Sequence, residues 1–361
     1  MINKTFLVHK TELNNTKFSE SETPEVQAGE VLFKIDKYAM TTNNITYAVV
    51  GHKIGYWQFF PAEEPFGIVP VWGYADVVES KHDGVAVGER FYGYFPMGNF
   101  LKIQVGKCSP FGITDGSAHR AGLAPIYNSY SNTKADISYN QEMEDYAPII
   151  RPLFTTSFLN YQFLKTSQFF EAEQIVITSA SSKTSMGLAF MLRKNQEIDG
   201  KKIVGLTSPR NVEFVKNTGY YDEVITYDDL EKELNEKDST VVDMAGNSKL
   251  LFRISDFLGE KLKFSSLIGL TDWTSEKEFK TLPRSKFFFA PAFAQQLFKE
   301  WGVEKANKEI AIAGGEFTQD ASQWMDLVFL NDFESLSELY HEMLQGKVDP
   351  SKGNIVKIPV Q

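Results

Sequence analysis

From about residue 150 the sequence keeps a rhythm that few folds can satisfy. Short apolar runs alternate with longer amphipathic stretches, each pair filling roughly 20–30 residues, as strand-and-helix repeats do. Gln174–Thr178, Lys202–Leu206, Glu223–Ile225, Thr240–Asp243 and Ser266–Leu270 read as strands. Helices are predicted over Phe154–Phe170, Ser185–Asn195, Asn211–Thr218, Asp228–Asn235 and Ser248–Leu258, with a long one over Phe293–Glu309. Strands joined through helices pair in parallel and are covered on both faces. Right-handed crossovers then wind the sheet both ways from its middle.

Residues 1 to about 135 carry a different pattern, short strands punctuated by turns. Glu30–Asp36 alternates with period two, as a half-buried strand does. Val69–Glu79 is a second β segment, followed by the turn residues Lys81-His82-Asp83-Gly84. Gly88–Tyr94 and Gly98–Val105 supply two more, and together they predict a small, twisted, barrel-like domain. Residues 112–146 are polar, with glycines at 112, 116 and 122, and read as a long connection or lid. Near the end, Trp324–Phe329 and Asn354–Ile358 return to strand character around a helix over Ser335–Gln345.

A chain of 361 residues suits two domains. Its net charge of -10 argues against a nucleic-acid backbone or an anionic membrane surface as partner. With Cys108 as its single cysteine, the chain has neither an internal disulfide nor a Cys-rich zinc site. The start, Met1-Ile2-Asn3-Lys4-Thr5, has no apolar stretch behind a basic segment, and no apolar run approaches the roughly 18 residues of a membrane span. The expectation is a cytoplasmic protein with a small-molecule substrate; a homo-oligomer is possible.

Particular residues resemble the medium-chain dehydrogenase/reductase superfamily. Trp72–Glu79 followed by Gly88-Glu89-Arg90-Phe91-Tyr92-Gly93 is similar to that superfamily's G-x-G-x-V-x and V-G-D-R-V-x-G segment. Asn43-Asn44-Ile45-Thr46-Tyr47 resembles a stretch of its quinone-oxidoreductase-like members, and Gly346-Lys347 with Gly353–Lys357 resembles its closing motif. The segment Thr178-Ser179-Ala180-Ser181-Ser182-Lys183-Thr184-Ser185-Met186-Gly187 resembles the variant phosphate loop of the DUF2855-type branch. The resemblance implies a Rossmann-type dinucleotide-binding domain at 146–312, inserted in a β-rich, GroES-like barrel domain formed by 1–145 and 313–361. It also implies a zinc-independent member. Thr41-Thr42-Asn43-Asn44 stands where zinc-dependent relatives begin their metal site, and the histidines at 9, 52, 82, 119 and 341 show no ligand spacing.

The phosphate loop expected after the first parallel strand reads Thr178-Ser179-Ala180-Ser181-Ser182-Lys183-Thr184-Ser185-Met186-Gly187. Aligned with relatives, Ser179, Ser182 and Ser185 occupy the positions of the glycines that let backbone approach a diphosphate. A helix starting there would offer N–H groups and partial positive charge, with Lys183 adding a full charge and Ser181, Ser182 and Thr184 adding hydroxyls. The same residues also suit a simple helix cap. The second strand ends in Thr207-Ser208-Pro209-Arg210-Asn211, without the acid that would bind the ribose of NAD. Ser208, Arg210 and Asn211 favour the 2′-phosphate of NADP(H), although a turn with a solvent-facing arginine fits as well. Tyr227, Gly246 and Thr271 follow later strands. They are candidates around adenine, ribose and nicotinamide, with Tyr227 equally suited to a packing role.

On the substrate side the resemblance points to Asn44, Tyr47, Tyr56 and Trp57. Tyr47 and Tyr56 are candidate proton donors, since a phenol protonates an enolate or alkoxide. Aromatics make up 14% of the chain, so packing beneath the barrel explains Tyr56-Trp57 equally well. Arg151 suits a salt bridge better than a substrate contact. The activity implied is reduction of a quinone, enone or similar activated alkene or carbonyl by hydride from NADPH. The missing glycines keep a non-catalytic dinucleotide-binding or accessory protein as the alternative.

Overall fold

Val31, Phe33 and Ile35 are buried, as a period-two strand requires, but Leu32 on the opposite parity is buried too. Val26 and Phe100 cover it from outside, so this strand is apolar on both faces over its first half. The computed structural model describes residues 2–195, 198, 200–269, 282–357 and 359. Two units divide them: Met1–Ile149 with Met325–Gln361, and Ile150–Trp324. The expected second boundary, at 312/313, lies inside a helix, Val303–Ala321.

In the first unit β1 (Ile2–His9) and β2 (Thr16–Glu22) form an antiparallel hairpin. β3 (Glu30–Met40) follows, then β4 (Phe66–Gly67), which pairs with β1. β5 (Pro70–Ser80), β6 (Arg90–Pro96), β7 (Phe100–Ser109), β8 (Gly112–Asp115) and β9 (Ser129–Asn132) complete this stretch. The sheet runs β3-β5-β6-β9-β8-β7, and β7 pairs again with β3, so six strands close into a barrel. Closure removes the unpaired edges that a sheet this small would otherwise expose. Phe33 fills the interior, its ring 5.5 Å from Phe91, 5.8 Å from Phe95 and 5.5 Å from Tyr130. Gly73 is required on β5, because a Cβ there would lie 2.2 Å from the Lys37 carbonyl oxygen of β3.

Residues 112–146 are therefore more than a connection, because they contribute β8 and β9 to the barrel wall. Four-residue strands are too short to show a period, which is why the polar composition reads as loop. Arg120 holds this segment from inside. Its guanidinium is wholly buried, pairs with Asp115 at 3.2 Å, donates to the Tyr127 carbonyl at 3.1 Å and lies over the Phe60 ring.

In the second unit β10 (Gln174–Ile177), β11 (Lys202–Thr207), β12 (Glu223–Thr226), β13 (Ser239–Asp243), β14 (Leu262–Leu267) and β15 (Ser285–Phe287) form one parallel sheet. The order is β12-β11-β10-β13-β14-β15. The winding direction changes between β10 and β13, and in open α/β sheets it is at the carboxyl ends of such a strand pair that ligands sit. Every residue of β10 and β13 is buried, as expected for central strands covered on both faces. Val176, Val204, Leu206, Val241, Leu250 and Ile254 belong to the core on one face.

Three sequence expectations shift. The helix expected from Phe154 begins at Ala147 and runs to Thr166, with Pro152 inside it. The long helix expected over Phe293–Glu309 is two helices, Ala290–Trp301 and Val303–Ala321. Gly302, at φ +81°, breaks the helical path between them. The strand expected over Ser266–Leu270 is centred earlier, at Leu262–Leu267, and Leu270 lies outside the described residues.

The chain then re-enters the first unit through β16 (Asp326–Leu330) and β17 (Lys352–Val356), which pair in parallel. β17 runs antiparallel to the end of β3, with Asn354 opposite Met40.

A charge cluster fixes the outside of the barrel. Arg90 on β6 binds Asp36 at 2.8 Å, Asp76 at 3.0 Å and Glu144 at 2.7 Å. Lys37 binds Glu144 at 2.8 Å and Asp145 at 2.6 Å. Burial alone would raise the Glu144 carboxyl; hydrogen bonds from Arg90 and Lys37 outweigh it and bring it to about 2. A carboxyl lowered on folding contributes stability that is complete above its ordinary value of 4.5 and lost as pH falls toward 2. Arg90→Ala is expected to cost about 3 kcal/mol at neutral pH, as removal of one partner from a largely buried pair does. Urea unfolding followed by circular dichroism should show that difference shrinking as pH drops below 4.5.

Candidate functional site

The loop after β10 makes a turn without glycine. Ser179 adopts φ +50°, the left-handed conformation that glycine usually supplies. Side chains from neighbouring strand ends hold it there. The Ser179 N–H donates to the Tyr227 hydroxyl at 3.1 Å, the Tyr221 hydroxyl donates to the Ala180 carbonyl at 2.9 Å, and Asn211 Nδ2 donates to Ser181 Oγ at 2.9 Å. Tyr227 thus has a role at the turn itself, and burial pushes its phenol up.

The helix Lys183–Lys194 starts directly behind this turn, two residues before the expected Ser185. Ser182 caps it, accepting the Ser185 N–H at 3.2 Å and donating to Ser185 Oγ at 2.8 Å. Ser185 Oγ in turn donates to the Thr178 carbonyl at 3.0 Å. The Ser182 and Ser185 hydroxyl protons are therefore committed to the fold, and buried Ser185 ties helix to strand where a third glycine would let them pack closely. Ser181, Ser182, Lys183 and Thr184 remain half-buried at the positive end of the helix. The bond from Asn211 uses the Ser181 oxygen and not its proton.

Beneath the turn, β10 and β13 are joined by buried polar groups that sequence reasoning passed over. Thr178 donates to Asp243 Oδ1 at 2.6 Å and accepts the N–H groups of Met244 at 2.9 Å and Ala245 at 3.1 Å. Asp243 also accepts from Ala245 N–H at 3.1 Å and Gly246 N–H at 3.0 Å. Burial pushes the Asp243 carboxyl up to about 6, against the opposing effect of those three donors. The available signal was an acid closing an apolar strand, Thr240-Val241-Val242-Asp243. Gly246 is buried with φ +66° at the end of this loop. Gly269, after β14, packs so tightly that a Cβ would lie 2.3 Å from the Met244 carbonyl oxygen.

After β11, Pro209–Asn211 forms a 3-10 turn with Ser208 half-buried and Arg210 exposed. Lys183, at the start of its helix, and Ser208, Arg210, Asn211, Tyr227 and Gly246, in the turns that follow strands, thus all lie at the carboxyl end of the sheet. Thr271 lies outside the described residues.

The candidates of the first unit form a separate aromatic group. Tyr47 and Tyr56 pack with ring centroids 4.5 Å apart. The Tyr47 hydroxyl accepts from Asn43 Nδ2 at 2.7 Å and Trp72 Nε1 at 3.3 Å, and the Tyr56 hydroxyl bonds that of Tyr127 at 3.0 Å. Burial pushes both phenols up, so they stay neutral and are weaker acids than in water. Asn44 is buried and serves the helix that begins at Thr42: its Oδ1 accepts the Thr41 N–H at 2.8 Å and its Nδ2 donates to the Pro70 carbonyl at 2.8 Å. Trp57 is buried against Gly51 and Gly67, where a Cβ would come within 2.3 and 2.5 Å of its ring. Among the described residues, no group of three or more His, Cys, Asp or Glu is gathered to hold a metal ion, and no helix is long and apolar enough to cross a membrane.

A closed barrel unit, completed by strands from the chain's end, and an inserted parallel sheet with this strand order define the medium-chain dehydrogenase/reductase fold. The chain belongs to the DUF2855 family, described as a protein of unknown function, whose model matches residues 38–349. No curated protein matches it by sequence. Among solved structures, it is similar to the quinone oxidoreductase from Coxiella burnetii, 14% identical with a TM-score of 0.58 over 99% of this chain and 100% of that one. CurA in complex with NADPH from Vibrio vulnificus is 16% identical, with a TM-score of 0.57 over 99% and 100%. TarJ in complex with NADPH from S. aureus is 12% identical, with a TM-score of 0.53 and full coverage of both chains (100% each).

Two outcomes follow from the turn and the buried acid. Ser179→Gly is expected to stabilise the protein by about 1 kcal/mol in chemical unfolding, because it relieves a left-handed non-glycine residue. Asp243 is a carboxyl raised on folding, so its contribution is complete below its ordinary value of 3.8 and lost as pH rises through about 6. Relative to Asp243→Asn, wild type should therefore lose about 2 kcal/mol between pH 4 and pH 7.5 in the same experiment.

Proposed function

We propose that the chain is a zinc-independent, NADPH-dependent oxidoreductase that reduces a quinone, enone or similar activated alkene or carbonyl. The observation that carries this reading is the capped helix start at Lys183, placed where the winding of the sheet changes direction. The donor set fits a dinucleotide. Ser181, Thr184 and Lys183 would hold the diphosphate beside the helix's partial positive charge. Ser208 and Arg210, with no acid after β11, would take a 2′-phosphate, for which a planar guanidinium is well shaped. Tyr227, Gly246 and Thr271 would border the remainder. When bound, the nicotinamide supplies hydride.

The chain's own part is binding, orientation and proton supply. Tyr47 and Tyr56 are the candidate acids. Tyr56 is linked through its hydroxyl to that of the half-buried Tyr127. Asn44 and Trp57 would line the substrate side with Tyr47 and Tyr56. The solved structures described with NADPH, and the one described as a quinone oxidoreductase, support the class through shared fold.

A second reading, a non-catalytic dinucleotide-binding or accessory protein, is favoured by one observation: burial makes both candidate tyrosines weaker acids than in water. Fluorescence titration with NADPH and NADH separates the possibilities. NADPH is expected to bind tighter, with Arg210→Ala removing roughly tenfold or more of that preference and Lys183→Ala weakening both ligands. Equal affinity for the two would remove the NADP assignment, and no binding of either would sink the reading. Binding without turnover across a panel of quinones and enones would leave the accessory role.

A further inference from the structure

The buried acid at the end of β13 has no part in the reading above. Its surroundings consist of hydrogen-bond donors. Thr178 O–H, Ala245 N–H and Gly246 N–H all point at its two oxygens, and the Thr178 oxygen takes Met244 and Ala245 N–H in addition. A carboxylate satisfies all of these donors. A neutral acid still accepts from all three but adds a proton for which this ring of donors holds no acceptor, and an amide turns an N–H group toward one of the donors and leaves it unanswered. Loop 244–246 lies against the end of β10 through contacts that this one group and Thr178 anchor.

We propose that the ionised carboxylate of Asp243, acting through Thr178, is the positioning group of the dinucleotide site. It holds the loop after β13 and the turn after β10 in one arrangement, and losing its charge loosens dinucleotide binding. The proposal rests on the reading of these strand ends as a dinucleotide site. Asp243 touches no ligand in this role. The groups acting on it are the Thr178 hydroxyl and the two loop amides. Its titratable neighbour from β12 is Tyr227, whose phenol burial keeps neutral throughout the range concerned. Protonation near pH 6 would then act as Asp243→Asn does.

The test is calorimetric titration of the full chain with NADP+ and with NAD+ between pH 5 and pH 8. Wild type, Asp243→Asn, Thr178→Ser and Thr178→Val are compared. Wild-type affinity is expected to fall about tenfold from pH 7.5 to pH 5, the scale of a typical coupling between sites. The 2′-phosphate of NADP+ titrates in the same range, so NAD+ and the Asp243→Asn variant isolate the protein's share. Asp243→Asn should bind weakly, retaining only the ligand's own pH dependence. Thr178→Ser, which keeps the hydroxyl, should match wild type, and Thr178→Val should not.

Parallel pH curves for wild type and Asp243→Asn would overturn the proposal while leaving the dinucleotide reading intact. So would a wild-type affinity for NAD+ that is flat with pH, an outcome that needs no variant to fold. Absence of binding at every pH would overturn the dinucleotide reading, and this role with it.

Discussion

One hydrogen bond, from Thr178 to Asp243, joins the two central strands of the parallel sheet where their winding diverges. Both residues are fully buried, and ordinarily a carboxylate in such a place is a liability. It is tolerated because three donors face its two oxygens. Around that bond the turn after β10, the loop after β13 and the start of the helix at Lys183 take fixed positions. A glycine-rich loop obtains its shape from backbone freedom. Here serines are forced into the same shape by hydroxyl and amide bonds from Ser182, Asn211, Tyr221 and Tyr227. Rigidity thus replaces permissiveness at the position where a ligand's phosphates would meet the backbone.

Much of the fold was legible in the sequence, and for a physical reason. Central strands such as Gln174–Ile177 and Ser239–Asp243 are covered on both faces and must be apolar throughout, a signal that survives without any motif. Short or partner-dependent elements were less visible. β8 and β9, four residues each, exist because the barrel offers them an edge, and their own sequence carries little strand preference. The break at Gly302 was hidden because both flanking segments favour helix.

The site was legible unevenly. The helix start at Lys183 and the Ser/Thr cap are written in residue type, since few residues other than Ser, Thr, Asp and Asn cap helices well. The pinning contacts were not, because they depend on which loops the strand order brings together. Nothing local to Tyr227 or Asn211 announces that they reach Ser179 and Ser181. The tyrosines of the first unit illustrate the reverse limit. Their residue type suggested acid chemistry, while their depth and bonding, visible only in the fold, give them a large share of the packing.

The pairing of Met40 with Asn354 also bears on how this molecule comes into being. During synthesis the residues of the barrel emerge first, and their six strands can close while the far end of β3 still lacks its neighbour. The whole of the inserted sheet is then made before β17 reaches that bare edge. Between these two moments a nascent chain carries an open strand terminus that a second chain, or a chaperone, could occupy.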